Sequence, residues 1–134
     1  MTISPITIEV PSILENIRIV ESFIENARAM YHIDEDIYGN ILVAVTESVN
    51  NAIQHGNKYD KDKNVTISLW AEEDLLKFTV TDEGNGFDFS DLPDPTSPEN
   101  LNKTSGRGIF LMKHLTDEVE YTDSGKTVSL TFYM

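Results

Sequence analysis

The sequence predicts an α+β fold: a two-layer α/β sandwich whose helices lie on one face of a mixed, mostly antiparallel sheet. Three observations predict it. Two helical-period segments follow one another over residues 12–54. Period-two apolar runs then come in pairs, 65–70 with 75–81 and 118–121 with 127–133, each pair joined by a short connection of the kind that makes antiparallel hairpins. The strict strand and helix alternation that builds a doubly wound parallel sheet is absent. At 134 residues the chain fits one domain, 1–134, with a single core.

Each element has a local reason. Ile6, Ile8 and Val10 alternate in a strand ended by Pro11, which suits a sheet edge because proline has no N–H to give the ladder. Over residues 12–31, Ile13, Ile17, Val20, Ile24 and Ala27 recur at helical spacing and predict one apolar face. Asp34 is the expected N-cap of a second helix over 35–54, stopped by Gly56. At 100° per residue, Ile41, Leu42, Val45, Val49, Ala52 and Ile53 fall on one side of that helix. Asn40, Ala44, Glu47, Asn51 and Gln54 fall on the other. A solvated face is the plain explanation of this second stripe. Its short amides and alanine, in place of the usual Lys and Glu, instead suit a wall facing a ligand. Residues 87–105 carry three prolines and little periodicity, and a connection of that length in a compact domain is expected to act as a lid. A short helix over 107–115, entered through Gly106, and a turn at 123–125 complete the order.

Composition narrows the classes of function. With 23 acidic and 10 basic residues the net charge is −13, which argues against nucleic acid as a partner because a phosphate backbone requires a basic surface. No apolar run approaches the ~20 residues of a membrane helix, and the N-terminus has no basic, apolar leader, so the expectation is a cytoplasmic protein without a membrane contact. The absence of cysteine removes disulfide and thiolate chemistry. An acidic protein that binds a polyphosphate needs a divalent cation and local donors; Lys103, Arg107 and Lys113 gather around the second glycine-rich segment, where such donors are useful.

Three segments carry the chemistry. In ESVNNAIQHGN, Glu47 and Asn51 are one turn apart on one helix face. Asn51 offers a hard, neutral oxygen to a magnesium that bridges phosphates, and Glu47 is placed to accept a proton from an attacking hydroxyl or water. In DEGNGF, Asp82 follows an apolar strand, and its carboxylate can accept the exocyclic amine of adenine, which guanine lacks at that position. Gly84 and Gly86 let backbone pass close to a flat ligand, although Asp, Gly and Asn also make ordinary turns. In SGRGIFLM, Ser105, Gly106, Arg107 and Gly108 open a helix, whose free N–H groups attract phosphate. The Lys and Ser/Thr of a P-loop and the spacing of a dinucleotide fingerprint are both missing. His55 is a candidate for the phosphate side and equally a capping or packing residue at a helix end; Thr127 is a candidate for the base side, against which its place as a plain β-former weighs more.

In this order and spacing, Glu47 with Asn51, DEGNGF at 82–87 and SGRGIFLM at 105–112, the chain resembles the GHKL ATPase superfamily, and within it the serine-kinase anti-sigma factors of bacteria. The resemblance spans nearly the whole chain. It implies the Bergerat α/β sandwich with ATP and magnesium between the helices and the lid. It gives Asn51 the magnesium, Glu47 the role of base toward an acceptor serine, Asp82 the adenine, and the pairs Gly84/Gly86 and Gly106/Gly108 the two glycine boxes. Lys103 or Arg107 would close over the phosphates. The implied partners are an anti-anti-sigma protein of STAS type, phosphorylated on Ser or Thr, and a sigma factor held by a kinase homodimer. Histidine kinases and the larger ATPases of the superfamily carry additional domains for which 134 residues leave no room. The competing expectation is a binding module in which ATP orders the lid and no phosphate moves.

Overall fold

The computed structural model describes residues 5–84 and 114–134. The expected lid at 87–105 lies outside the described residues, as does the expected helix over 107–115 except for His114 and Leu115, which are helical.

Among the described residues five strands, β1 (Ile6–Pro11), β2 (Asn64–Ala71), β3 (Leu75–Thr81), β4 (Glu118–Thr122) and β5 (Thr127–Tyr133), form one sheet in the order β1-β2-β3-β5-β4. All four pairings are antiparallel. The two-residue side-chain period sorts the sheet into faces. Val65, Ile67 and Leu69 of β2, Leu76, Phe78 and Val80 of β3, and Val128, Leu130 and Phe132 of β5 are buried. Register sets Leu69 against Phe78, Phe78 against Leu130, and Val80 against Val128. Phe78 and Phe132 meet edge to face with centroids 6.1 Å apart. The other face carries Thr66, Ser68, Thr79, Thr81, Thr127, Ser129 and Thr131, all partly exposed.

Helices α1 (Ile17–Tyr31) and α2 (Glu35–Asn51) complete the same apolar core. α1 contributes Val20, Ile24 and Ala27, and α2 contributes Ile41, Ala44, Val45 and Val49. Each wholly buried isoleucine among them contributes ~1.5–3 kcal/mol relative to exposure. Across their exposed seam the Tyr38 hydroxyl donates to Glu25 at 2.5 Å, and the Arg28 guanidinium lies 4.5 Å over the Tyr38 ring. No described helix is long and apolar enough to cross a membrane.

The structure departs from the expected helices at three places. α1 starts at Ile17, after a 3₁₀ turn at Leu14–Asn16, because Ser12 is engaged elsewhere: its hydroxyl donates to the Lys63 carbonyl at 2.7 Å, tying the chain to the residue that precedes β2. Ile13 therefore lies outside the buried stripe and is 37% exposed. Asp34 occupies the N-cap of α2 through its carbonyl, which accepts from Tyr38 N at 2.8 Å, while its side chain makes no capping bond. α2 ends at Asn51 and the chain continues as one π-helical turn, Ala52–Gly56, closed by a 2.8 Å bond from Asn57 N to the Ala52 carbonyl.

Gly39, exposed inside α2, has nothing within 4 Å of the position a Cβ would take. Gly39→Ala is therefore expected to stabilise the protein by about 0.5–1 kcal/mol, read as a rise in the midpoint of thermal unfolding.

Candidate nucleotide site

The C-terminal end of α2 lies over the end of β3 and the β4–β5 turn, and a narrow cleft opens between them. Ser48, Asn51 and Ala52 form its helical wall. Val80 and Asp82 line it from β3, Gly125 and Lys126 from the turn, and Tyr121 and Val128, which are register partners, from β4 and β5. Apolar walls from Ala52, Val80 and Val128 with one buried carboxylate suit the faces and the polar edge of a purine.

Asp82 is 4% exposed and held from several sides. Its N–H donates to the Lys126 carbonyl at 2.9 Å, and its Oδ1 accepts from Gly84 N at 2.9 Å. Burial pushes its carboxyl above the ordinary 3.8, opposed by the Gly84 hydrogen bond and by the charges of Lys126 and Lys63. A raised carboxyl pKa in the folded state means that ionising this group disfavours folding. Its contribution to stability is full below 3.8 and is lost as the pH rises through the folded value. Asp82→Asn, which keeps an oxygen for the Gly84 N–H, is accordingly expected to leave the free protein at least as stable as wild type at neutral pH. It should also flatten the decline in stability across that window, as measured by denaturant titrations at a series of pH values. Tyr121 is pushed up to about 12 by burial, so its phenol stays neutral in the cleft wall.

The carboxylate is seated by two glycines. A Cβ on Gly56 would stand 2.3 Å from Asp82 Oδ2, and one on Gly84 would stand 1.8 Å from the Gly56 carbonyl oxygen. The end of the π-helical turn and the loop after β3 thus meet backbone to backbone. The closeness that requires Gly84 is to the protein itself, whereas the sequence had suggested closeness to a ligand.

The expected site residues fall into three groups. Asn51 and Asp82 come together in the cleft, from segments 31 positions apart in sequence. The stripe expected opposite the core of α2 divides: Ala44 is fully buried, Asn51 is 7% exposed, Glu47 is half-buried, and Asn40 and Gln54 face solvent. Glu47 precedes Asn51 by one turn and does not line the cleft. His55, half-buried in the π-helical turn, has a buried Nε2 with no hydrogen-bond partner among the described residues. Thr127 is placed away from the cleft: as the register partner of Thr81 it shares the outer sheet face, where the two hydroxyls are 3.1 Å apart. Strand alternation is the reason, since Val128 takes the inward position. Gly86, Lys103, Ser105, Gly106, Arg107 and Gly108 lie outside the described residues.

Residues 10–132 match the histidine kinase-like ATPase domain family, a span that begins in β1, ends in β5 and includes Asn51 and Asp82. The chain belongs to that family. Its relatives include the serine-protein kinase RsbW of Bacillus subtilis, 34% identical over 96% of this chain and 85% of the relative. RsbW of Bacillus licheniformis is 39% identical over 71% of this chain and 64% of the relative, and RsbW of Staphylococcus aureus is 29% identical over 96% and 86%. Among solved structures, the RsbU and RsbW domains of a Mycobacterium tuberculosis protein superpose with a TM-score of 0.66 at 17% identity, covering 98% of this chain and 31% of the larger one, which supports the shared fold.

For this histidine kinase-like ATPase domain, sequence reasoning passed over Ser48, Tyr121, Lys126 and Gly56. Ser48 and Gly56 sit inside the quoted segment ESVNNAIQHGN and were legible as its neighbours. Tyr121 and Lys126 enter the cleft through the β4–β5 register, which no local pattern gives.

Proposed function

We propose that this protein is an ATP-dependent serine/threonine kinase of the anti-sigma-factor type, acting on a small anti-anti-sigma partner of STAS type and holding a sigma factor as a homodimer. The observation that carries the reading is the buried Asp82 carboxylate in a cleft whose opposite wall presents Asn51. Asp82 accepts the adenine amine. A hydrogen bond to a charged acceptor contributes about 1.5–3 kcal/mol, roughly 10- to 150-fold in affinity over a purine that presents a carbonyl there.

Among the described residues no group of three or more His, Asp or Glu side chains is placed to hold a metal. The Asn51 amide oxygen at the cleft wall is the protein ligand that would hold a magnesium, an ion that commonly keeps several waters and binds through substrate phosphates. Bound there, the ion would supply positive charge to offset that of the phosphates. Glu47, one turn earlier on α2, takes the proton of the acceptor hydroxyl, and His55 satisfies its buried Nε2 on the phosphate side. Phosphoryl transfer asks little covalent chemistry of the protein, so positioning and electrostatics make up most of the catalysis. Lys103, Ser105, Arg107 and the glycines Gly86, Gly106 and Gly108 complete the phosphate side in this reading.

The test is transfer of label from γ-labelled ATP to proteins co-purified with the full chain from its native cell. Label on serine or threonine of a small partner is the expected result. A partner that binds in an ATP-dependent manner and never takes label overturns the kinase reading in favour of an ATP-gated binding module.

A further inference from the structure

Asn57 closes the segment ESVNNAIQHGN, and neither its backbone nor its surface position explains an asparagine there. Asparagine after a helix commonly serves because it tolerates the left-handed conformation. Asn57 has φ −91° and needs no such tolerance; Lys58 and Tyr59, at φ 51° and 60°, take the left-handed positions instead. The side chain is what the structure uses. It is 2% exposed, and its donors and acceptor are all engaged: Nδ2 donates to Ser12 Oγ at 2.7 Å and to the Asn64 carbonyl at 3.0 Å, and Oδ1 accepts from Glu83 N at 2.8 Å.

One amide therefore joins the β1–α1 connection, the end of the π-helical turn, the start of β2 and the loop after β3. The Glu83 bond matters most. Three successive N–H groups, of Asp82, Glu83 and Gly84, are each held by a protein acceptor: the Lys126 carbonyl, Asn57 Oδ1 and Asp82 Oδ1. The first is a sheet-end contact and the third is internal to the loop. The Asn57 bond ties the Asp82–Glu83 peptide to the helical segment on which Asn51 stands six residues earlier, beside the close packing of Gly56 on Gly84. Glu83 adds a second tie, its carboxylate accepting from Asn64 N, so the loop is anchored to β2 independently of Asn57.

We propose that Asn57 is a positioning residue for base recognition: by holding the Glu83 N–H it fixes the peptide that aims the Asp82 carboxylate, and so couples the metal-side helix to the base-reading strand. The inference rests on Asp82 as the adenine acceptor. Its effect should appear in discrimination between nucleotides and not only in stability, because a tilted carboxylate loses the directional bond to adenine while the cleft walls remain.

The experiment measures dissociation constants for ATP and GTP with magnesium, well below each variant's unfolding midpoint, for wild type, Asn57→Ala, Asn57→Asp, Ser12→Ala and Asp82→Asn. Asn57→Ala is expected to reduce the ATP-over-GTP preference by about tenfold. Asn57→Asp, which retains an acceptor for Glu83 N, keeps the preference within about twofold even where it lowers stability. Ser12→Ala, which cuts the far side of the same network, lowers stability and keeps the preference. Any other pattern among these three variants overturns the proposal. Asp82→Asn distinguishes its failure from that of the underlying reading: preference unchanged by Asp82→Asn sinks the adenine assignment itself, whereas preference lost there and kept in Asn57→Ala sinks only the role of Asn57. Should Asn57→Ala fail to fold, amide hydrogen exchange on the wild-type protein decides. The Glu83 N–H is expected to be protected and to slow further with ATP, and exchange at the rate of an unstructured amide contradicts the clasp.

Discussion

Glu47→Ala is expected to lower phosphotransfer to the partner by ~100- to 10,000-fold while leaving ATP affinity within about twofold of wild type. The asymmetry follows from position. Glu47 is half-buried one turn before Asn51 and contributes nothing to the lining of the base cleft, so truncating it removes no contact that ground-state ATP makes there. A group that acts only on the proton of the acceptor hydroxyl is used in the transition state alone, and its loss falls on the rate. Single-turnover labelling of the co-purified partner, alongside calorimetric titration of ATP, separates the two quantities. A parallel fall in affinity and rate would place Glu47 in binding; an unchanged rate would remove it from the chemistry.

Gly84→Ala is expected to destabilise the protein by about 3 kcal/mol or more, a drop in unfolding midpoint on the order of 10 °C. The added methyl would stand 1.8 Å from a backbone carbonyl oxygen of Gly56, and backbone at the end of a packed helical turn has no rotamer with which to withdraw. Gly56→Ala makes a useful contrast. Its methyl meets the Asp82 carboxylate at 2.3 Å, so a side chain must turn aside, and the carboxylate it displaces is the one assigned to adenine. Loss of ATP affinity should therefore dominate in Gly56→Ala and loss of stability in Gly84→Ala. Thermal unfolding with and without ATP and magnesium reads both, since a bound ligand raises the midpoint in proportion to its affinity. Equal behaviour of the two variants would mean that the crossing of these backbones does not seat the carboxylate.

Much of the fold was legible because the patterns are local. β5 was expected over 127–133 and is found there, and β3 over 75–81 likewise, since alternation of Leu76, Phe78 and Val80 with Lys77 and Thr79 leaves no other register. The helix ends were less legible. Ser12 reads as part of a helix until its hydroxyl is seen bonded to Lys63, 51 residues on, and the π-helical turn has no marker in ESVNNAIQHGN beyond the glycine that permits it.

The candidate site divides in the same way. Asn51 and Asp82 could be singled out by residue type and spacing, each being a polar group where periodicity predicts an element's end. Tyr121 and Lys126 could not, because their place in the cleft depends on how β4 pairs with β5. Thr127 was a candidate for the base side and lies on the outer sheet face, because strand alternation gives the inward position to Val128. Gly84 was legible as a close approach, but the neighbour it approaches, Gly56, could be identified only once the π-helical turn was placed.

The measurement that bears most directly on the central claim is calorimetric titration of ATP and GTP, with magnesium, into wild type and Asp82→Asn. The account predicts that wild type binds ATP at least about tenfold more tightly than GTP and that Asp82→Asn abolishes the difference without loss of folded protein. Equal affinity for the two nucleotides in wild type, or a preference that survives Asp82→Asn, would contradict it.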